Sequence, residues 1–389
     1  MNTLPNRRLT VAALLAASAL ALTACATSPA PATEEPAAEG PRVSLTYDGG
    51  IYVLDGTTLE VLADLPLDGF NRLNPAGDGR HALVTTTEGF RVLDTQKPEL
   101  TDLVFEAEAA GHVVRHHGKT ILYADGTGDT TIFETDALLE GTMPETEVVP
   151  SEEPHHGVSI ELADGTLLST IGNPDTRVGV RALDASRAEV SRSEECPSVH
   201  GEGAAANEIA VFGCSDGVLV YDKGEFTKIQ APDAYGRSGN AYVSETSPIA
   251  VVDYNADPDS EGYLLTKLAI VDTVAKSSAV VDLPEGVSYT WRGVGRGPAD
   301  EVVLLSSDGS LNTLDAATGE VLESWAVIAP WQSPVEWQDA HPALVVNGSI
   351  AYVTEPASNE IHAVDLTTGE VVASVTLDAA PNEIAVVTG

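Results

Sequence analysis

Three histidines occupy equivalent places in an internal repeat of the 389-residue chain. They are His112 in GHVVRHHGKT, His155 in EEPHHGVSIEL and His200 in CPSVHGEG, separated by 43 and 45 residues. If the repeat closes into a ring, equivalent positions surround one axis and the imidazoles should meet near its centre. Three neutral imidazoles with a carboxylate or water form an ordinary zinc shell. The spacing predicts a divalent-metal site, for zinc first, with copper and nickel as alternatives because both accept imidazole.

Further residues are candidates for the same site. His341 in DAHPAL is expected near the start of another inner strand. Adjacent residues of a strand point to opposite faces, so only one of His155 and His156 should be a ligand. The candidate carboxylates are Glu202, two residues beyond a candidate histidine on the same strand face, and Asp216 in GCSDG.

The other histidines are expected to have different roles. His81 and His362 fall on second or third strands, away from the axis, and are predicted to be surface or packing residues. His116 and His117 are predicted to lie at a hairpin end, since loops expose polar residues freely, with a second metal site as the alternative.

The elements that must position these side chains are short strands in a repeat. Eight strands end in an apolar residue followed by an acid and a turn, about 44 residues apart. The acids are Asp55, Asp94, Glu134, Asp184, Asp222, Asp272, Asp315 and Asp365. That period, with four alternating strands per unit and no convincing helix pattern, predicts an all-β fold. We expect a single β-propeller with eight blades, or with seven if one of the acids is coincidental.

The two ends of the repeat complement each other. The first unit, which starts at VSLTYDGG, lacks an inner strand, and the C-terminal NEIAVVTG is a spare one. Pairing of the C-terminal strand with the N-terminal blade would close the ring and leave no open edge. Residues 42–389 are therefore predicted to form one domain.

The N-terminal segment has the features of an export signal. Arg7 and Arg8 precede an apolar run, and Leu22-Thr23-Ala24-Cys25 resembles a bacterial lipobox. We expect residues 1–24 to be a lipoprotein signal peptide and Cys25 to be lipidated. Residues 25–41, rich in Ala, Pro, Thr and Glu, are predicted to be a disordered tether. The protein would then be exported and lipid-anchored to the outer face of the cell membrane.

Charge and cysteine content narrow the function classes. The formal net charge of −39 argues against nucleic-acid binding, because phosphate neutralisation needs Lys and Arg. The cysteines beyond the lipobox are Cys196 and Cys214, an even pair in an oxidising compartment, which predicts a disulfide. The alternative is a Cys/His zinc site that uses both thiolates and His200.

The sequence offers no enzyme motif, and we expect the protein not to be an enzyme. HExxH and a cysteine nucleophile with its own base are absent, and GCSDG (213–217), which matches the letters of GxSxG, is not followed by the helix pattern that a nucleophile elbow needs. The repeated Trp of quinoprotein propellers is missing too, since Trp325 follows a Thr-Gly turn only once. The alternatives are a metal-free, lipid-anchored platform for protein binding and a propeller enzyme that works at the channel mouth.

Several segments resemble the AztD-type zinc metallochaperones, which serve a zinc ABC transporter. They are GHVVRHHGKTILYADGTGDTTIF, EEPHHGVSIELADGTLL and CPSVHGEGAAANEIAVFGCSDGVLVYD, with a weaker likeness up to the C-terminus. The resemblance implies a propeller that binds zinc outside the cytoplasm and passes it to the transporter's solute-binding protein. It also implies that His112, His155 or His156, His200 and His341 are ligands. The His-rich N-terminal stretch that family members can have is missing here. We expect a monomer that meets the membrane only through its lipid.

A chaperone must also release its metal, which favours a partly exposed site beside a mobile segment. Residues 141–154 (GTMPETEVVPSEEP) are long, acidic and proline-containing, and run directly into His155. We expect this segment to be mobile and to gate the site.

Overall fold

The strands of the chain form eight antiparallel sheets arranged as the blades of a propeller. The structure is a computed structural model that describes residues 40–260 and 262–389. The predictions for the signal peptide, for Cys25 and for nearly all of the tether lie outside the described residues. Among the described residues, no helix is both long and apolar enough to cross a membrane.

The first four blades follow the chain in order. Blade one contains β1 (Arg42–Tyr47), β2 (Gly49–Asp55) and β3 (Val61–Leu67). Blade two contains β4 (Leu73–Pro75), β5 (His81–Thr86), β6 (Gly89–Asp94) and β7 (Glu99–Glu106). Blade three contains β8 (Ala110–His116), β9 (Lys119–Ala124), β10 (Thr130–Glu134) and β11 (Glu147–Val149). Blade four contains β12 (Ser159–Glu161), β13 (Leu167–Gly172), β14 (Arg177–Leu183) and β15 (Glu189–Ser193).

The last four blades have the same pattern. Blade five contains β16 (His200–Ala205), β17 (Ile209–Cys214), β18 (Asp216–Asp222) and β19 (Glu225–Gln230), with β20 (Gly236–Arg237) beside β18. Blade six contains β21 (Ala241–Tyr242), β22 (Ile249–Tyr254), β23 (Lys267–Asp272) and β24 (Ser277–Asp282). Blade seven contains β25 (Val294–Arg296), β26 (Val302–Leu305), β27 (Ser310–Leu314) and β28 (Val321–Ala326). Blade eight contains β29 (Leu344–Asn347), β30 (Ile350–Glu355), β31 (Glu360–Asp365) and β32 (Val371–Thr376). Short 3₁₀ helices span Thr135–Glu140, Ala206–Glu208, Trp291–Gly293 and Pro356–Ser358.

The C-terminal strand closes the ring. Strand β33 (Ile384–Val387) pairs antiparallel with β1, so that Val386 lies opposite Val43 and Ile384 opposite Leu45. It supplies the inner strand that blade one lacks, which leaves β1 without a free edge. The predicted β-propeller, its eight blades and its mode of closure are confirmed, and the seven-bladed alternative is wrong.

The recurring acid has a structural role at the end of each third strand. The Oδ1 atom of Asp55 accepts hydrogen bonds from the backbone N–H groups of Thr57 and Thr58, both at 2.9 Å. Asp315 accepts equivalent bonds from Ala317 and Thr318, at 3.0 and 2.8 Å. A side chain that bonds backbone groups two and three residues ahead stabilises a tight turn. The acid builds the turn to the outer strand in these blades, whereas Glu134 precedes a 3₁₀ helix and pairs with Lys119 instead.

Apolar faces of neighbouring blades pack together and form the core. Between blades eight and one, Val43 and Leu45 pack against Tyr352 and Ile361, and all four are nearly inaccessible to water. Each blade thus buries both faces between its neighbours, and the inner strands surround the axis. The core fixes where each inner strand begins, and therefore where the candidate histidines lie.

The predicted disulfide is present. Cys196, just before β16, is bonded to Cys214 at the end of β17, with 4.9 Å between the two Cα atoms. The two sulfur atoms are joined to each other, so the alternative of a Cys/His zinc site with His200 does not apply. The bond ties the loop that precedes His200 to blade five.

The segment 141–154, predicted to be a mobile loop, contains a short strand. Its residues 147–149 form β11, the outer strand of blade three, and pair with β10. Glu147 is held by the guanidinium of Arg187 at 2.6–2.7 Å, and the carbonyl of Pro150 accepts a bond from Arg181 at 2.7 Å. The predicted gate is therefore strand at residues 147–149 and loop on either side of them. Its mobility and its gating role stay predictions.

Candidate metal centre

Three imidazoles converge at the end of the channel where inner strands begin. His112 lies on β8, His156 precedes β12 and His200 opens β16, so each comes from a different one of three consecutive blades. Every pair of ring centroids is 5.2 Å apart. One potential ligand atom of each residue lies within 4.8 Å of the other two. Tetrahedral zinc needs nitrogen atoms about 3.3–3.4 Å apart. A small inward shift of the three side chains would bring their nitrogen atoms to that distance.

The Nδ1 atom of each ring has a hydrogen-bond acceptor. His112 Nδ1 lies 2.9 Å from the carbonyl oxygen of Gly157, and His200 Nδ1 lies 2.6 Å from that of Gly239. His156 Nδ1 lies 2.6 Å from Oδ2 of Asp125. A neutral ring that donates from Nδ1 keeps its lone pair on Nε2, and metal-bound histidines are oriented in this way. The three acceptors therefore prepare three Nε2 atoms to bind a cation.

Two β-bulges aim these side chains. The β8–β9 register shifts between Ala110 and Val113, around His112, and the β16–β17 register shifts between His200 and Glu202. Bulges redirect side chains and occur often beside functional sites. Gly201 has a φ of +70°, and a Cβ there would lie 2.5 Å from the Gly239 carbonyl oxygen that His200 contacts. Only glycine lets the two backbones approach so closely.

Burial keeps two of the imidazoles neutral. It lowers the pKa of His112 well below its usual 6.5, and the neighbouring His200, His156 and Arg72 lower it further. Burial likewise lowers the pKa of His200 to about 4, with a partly opposing effect of the bond to Gly239. Because protons and zinc compete for the same lone pairs, rings that are neutral at pH 7 bind metal without first losing a proton.

His155 lies outside the cluster, so His156 is the candidate ligand of the two adjacent histidines. Its Nδ1 lies 2.8 Å from the carbonyl oxygen of Glu153, while its Nε2 lies 2.9 Å from the Tyr123 hydroxyl and 3.0 Å from that of Thr170. The side chain is almost fully buried, and burial lowers its pKa. His155 anchors the loop, whereas His156 is exposed and faces the other two rings.

His341 also lies away from the cluster. It precedes β29 in blade eight, three blades before that of His112 in the ring, and its Nδ1 lies 2.8 Å from the carbonyl oxygen of Asp339. The ring sits near Trp291 and Trp331, with centroids 6.3 and 6.4 Å away, and burial lowers its pKa to about 4. Equivalent sequence phase does not bring it to the three rings, because the channel separates blade eight from blades three to five.

The two candidate carboxylates differ in their positions. Asp216 pairs with Lys228 on the neighbouring strand and is not a member of the three-histidine group. Glu202 lines the same cavity as the three histidines, although its carboxylate is also outside the group. The bulge after His200 breaks the alternation on which the same-face prediction relied. Burial raises the pKa of Glu202 to about 8, so that it is largely protonated at neutral pH.

The cavity above the cluster has a charged and aromatic rim. Its volume is about 750 Å³, and Arg72, Arg237, Trp291 and Trp337 line it together with the histidines. The guanidinium carbon of Arg72 lies 5.8 Å from the ring centre of Trp291 and 6.0 Å from that of Trp337. These cations stand out in a chain of net charge −39. Arg72 is paired with Glu383 at 3.6 Å, and Asp253 also lines the cavity, so the rim has charged groups of both signs.

The remaining histidines lie elsewhere. His116 ends β8, where its Nε2 lies 2.9 Å from Oε2 of Glu208, and His117 is exposed in the β8–β9 turn. This is the hairpin-end position that the sequence predicts. His81 is buried, with its Nδ1 2.5 Å from Asp78. His362 lies on β31 beside two carboxylates, which the sequence analysis did not foresee.

Sequence reasoning missed Asp125, the partner of His156. It follows β9 and belongs to none of the repeated strand-end motifs, so its spacing does not single it out. A usable signal was the glycine next to each clustered histidine, in Gly111-His112, His156-Gly157 and His200-Gly201. Glycine beside a polar residue in a strand often marks a bulge or a close backbone approach.

The amino-acid sequence of this chain is similar to that of a zinc chaperone. No protein-family model matches the chain. The zinc chaperone AztD of Citrobacter koseri is 26% identical over 304 residues, which cover 76% of this chain and 70% of that protein. The chain resembles AztD along most of its length.

The solved structures of C. koseri AztD have the same fold as this chain. The apo form superposes with a TM-score of 0.75 and a second structure with 0.73, both at 22% identity over 90% of this chain and 98% of theirs. The predicted resemblance to AztD-type proteins is confirmed.

The propeller fold is also shared with an enzyme. The dihydro-heme d1 dehydrogenase NirN has a TM-score of 0.58 at 11% identity, over 90% of this chain and 75% of that protein. The architecture alone therefore does not separate a metal carrier from an enzyme, and the side chains of the site must do so.

Proposed function

We propose that this protein is an extracytoplasmic zinc metallochaperone that binds zinc at His112, His156 and His200. The observation on which the proposal rests is the set of three Nδ1 contacts, which orient the three rings toward one point. Imidazole nitrogens suit zinc, and three protein ligands leave one position of a tetrahedral shell free. The similarity to a protein named zinc chaperone AztD supports the same assignment.

The open position suits delivery rather than permanent storage. The shell faces a cavity of about 750 Å³, from which an incoming ligand can reach the metal. Glu202 in the cavity wall is the internal candidate for the fourth ligand, and it would lose its proton on binding. A shell with one exchangeable ligand lets zinc pass to a partner through a mixed intermediate, without complete dissociation into solvent.

The proposed recipient is the solute-binding protein of a zinc ABC transporter. Arg72 and Arg237 at the rim would attract an acidic segment of that partner, and any carboxylate brought there lies beside the exchangeable position. We also propose export and lipid anchoring at Cys25, on the strength of the lipobox-like sequence. An anchor would hold the chaperone at the membrane where the transporter receives zinc.

Metal analysis of the purified, untagged protein tests the zinc site. After reconstitution and removal of excess metal, we expect the wild-type protein to retain zinc at the three-histidine cluster. His112→Ala/His156→Ala/His200→Ala should lose that zinc while it keeps the circular dichroism spectrum of the wild type. His117→Ala, in the exposed β8–β9 turn, and His341→Ala serve as controls that retain it. Equal zinc content in the triple variant and the wild type would overturn the site, and a metal-free wild type would favour a protein-binding platform.

Transfer is tested separately from binding. The zinc-loaded protein is mixed with the metal-free solute-binding protein, and the zinc content of each is measured after separation. We expect transfer to be faster than the spontaneous loss of zinc to a chelator of equal affinity. Equal rates would show that the two proteins exchange zinc only through solution, and would leave zinc binding intact while removing the chaperone role.

A further inference from the structure

Blade eight contains a second group of metal-binding side chains, remote from the three-histidine cluster in sequence. Strand β30 ends at Glu355 and β31 begins at Glu360, with the 3₁₀ turn Pro356–Ser358 between them. Glu355 and Glu360 are direct partners in the ladder. His362 lies two residues further along β31, and therefore on the same face as Glu360.

The potential ligand atoms of these residues converge, and Oε2 of Glu360 also accepts the hydroxyl of Ser358 at 3.4 Å. His362 Nε2 lies 3.4 Å from Oε2 of Glu355 and 3.7 Å from Oε2 of Glu360. One ligand atom of each of the three residues lies within 4.8 Å of the other two. The His362 side chain is only 10% exposed, whereas Glu360 is 33% exposed, so the group is partly closed and still open to solvent on one side.

The other oxygen of each carboxylate is held by the protein. Oε1 of Glu355 accepts the backbone N–H of Ala329 at 2.8 Å, and Oε1 of Glu360 accepts the hydroxyl of Thr376 at 3.0 Å. These bonds fix the orientation of the carboxylates and leave the Oε2 atoms directed toward His362. Hydrogen bonds to the distant atom of a ligand are the usual support of a metal site.

The two carboxylates have the same charge and lie opposite each other in the ladder. Burial raises the pKa of Glu355, but hydrogen bonds from Ala329, Ser358 and His362 outweigh this effect and leave the pKa lowered. Like charges directly opposite in a β-ladder are destabilising, and the net charge of the chain is already −39. Among the described residues, the ion pairs that these two carboxylates form are with His362, and no lysine or arginine neutralises them. A divalent cation would offset the repulsion that the ladder imposes.

We propose that Glu355, Glu360 and His362 form a second divalent-cation site, for zinc or a cation of similar ligand preference. One imidazole nitrogen and two carboxylate oxygens suit zinc, with water completing the shell, whereas calcium requires six to eight oxygen ligands. The turn between β30 and β31 lies at the end of the blade where inner strands begin, which is also the end that holds the three-histidine cluster. This proposal stands on the blade-eight geometry and does not depend on the chaperone role.

The experiment starts from a protein whose three-histidine cluster has been disabled. His156→Ala/His200→Ala serves as this background, and zinc chloride is titrated against a chromophoric chelator. We expect the background to bind one zinc ion per chain. Adding Glu355→Gln/Glu360→Gln, which preserves side-chain volume, should weaken that binding at least about tenfold. Glu370→Gln, an exposed acid in the other hairpin turn of the same blade, is the matched control and should leave it unchanged.

Thermal unfolding gives a second measurement that does not depend on the chelator. Zinc should raise the Tm of the background and of the Glu370→Gln control, because it binds the folded state. It should not raise the Tm of the Glu355→Gln/Glu360→Gln protein.

Two results would overturn the second site. One is a background protein that binds no zinc, and the other is equal zinc affinity with and without the two glutamates. Either result leaves the three-histidine cluster untouched, since that cluster is judged from the wild-type protein. Conversely, zinc binding by the background would stand even if the wild-type cluster failed to transfer its metal.

Discussion

At the scale of single residues, the cluster depends on acceptors as much as on the histidines themselves. The backbone carbonyls of Gly157 and Gly239 fix two of the rings, and their geometry follows from the fold. The third acceptor, Asp125, is a side chain that can be changed without moving the backbone. Its carboxylate is also the one acceptor of the three that is an acidic side chain.

Asp125→Asn tests this role. An amide can rotate to present either an oxygen or an NH₂ group to Nδ1, so the preference for a metal-binding Nε2 weakens and the negative charge is lost. We expect zinc affinity to fall about 10–100-fold, as is typical for loss of such a partner. Competition with a chelator measures the change, and Asp102→Asn on the exposed edge of blade two is the control. Unchanged affinity would show that Asp125 does not orient His156.

At the scale of elements, each blade is complete only with its inner strand. In blade one this strand comes from the other end of the chain, and Val386 and Val387 of β33 are buried. Burying a valine side chain contributes about 1.5–3 kcal/mol, and whole domains are stable by only about 5–15 kcal/mol. The closing strand is therefore a large part of the net stability.

Removal of residues 384–389 should open the ring. We expect the truncated protein to lose several kcal/mol of its free energy of unfolding, and to aggregate because β1 becomes a free edge. Urea unfolding and size-exclusion chromatography measure the two effects. Removal of the exposed residues 388–389 alone is the control and should change little. A stable, monomeric protein without β33 would contradict this closure of the ring.

At the scale of the whole molecule, the buried neutral histidines link stability to pH. Burial lowers the pKa values of His200 and His341 to about 4, against 6.5 in an unfolded chain. Between these values the unfolded chain binds protons that the folded protein does not. The contribution of these two histidines to the free energy of unfolding is therefore fully present above pH 6.5, and it is lost as the pH drops toward 4.

This effect can be isolated at one residue. In the presence of EDTA, we expect His341→Gln to flatten the loss of stability between pH 6.5 and 4, by on the order of 2–3 kcal/mol. Urea unfolding of both proteins at several pH values measures the difference. His341 is the better choice because it lies outside the metal cluster. Parallel curves for the two proteins would contradict a neutral, buried His341.

The sequence by itself determined the repeat, and through it much of the fold. The acids from Asp55 to Asp365 mark every third strand, and turns such as those after Asp55 and Asp315 use the carboxylate as an acceptor, which is a local requirement. The spare strand at the C-terminus follows from the same count of strands. The pairing of Cys196 with Cys214 follows from the even number of cysteines beyond the lipobox in an exported protein. His112 and His200 could be chosen because a closed ring brings equivalent positions of adjacent blades together.

Only the tertiary structure decided which other side chains join His112 and His200 in the cluster. The choice of His156 over His155 depends on a pocket formed by Tyr123 and Thr170, which lie on neighbouring blades. Bulges removed Glu202 from the face that strand alternation predicts, and the width of the channel separates His341 from the cluster. The group at Glu355, Glu360 and His362 arises from pairing across a ladder. Local sequence sets turns and periodicity, whereas long-range packing sets which atoms meet, and that packing is not a property of any single segment.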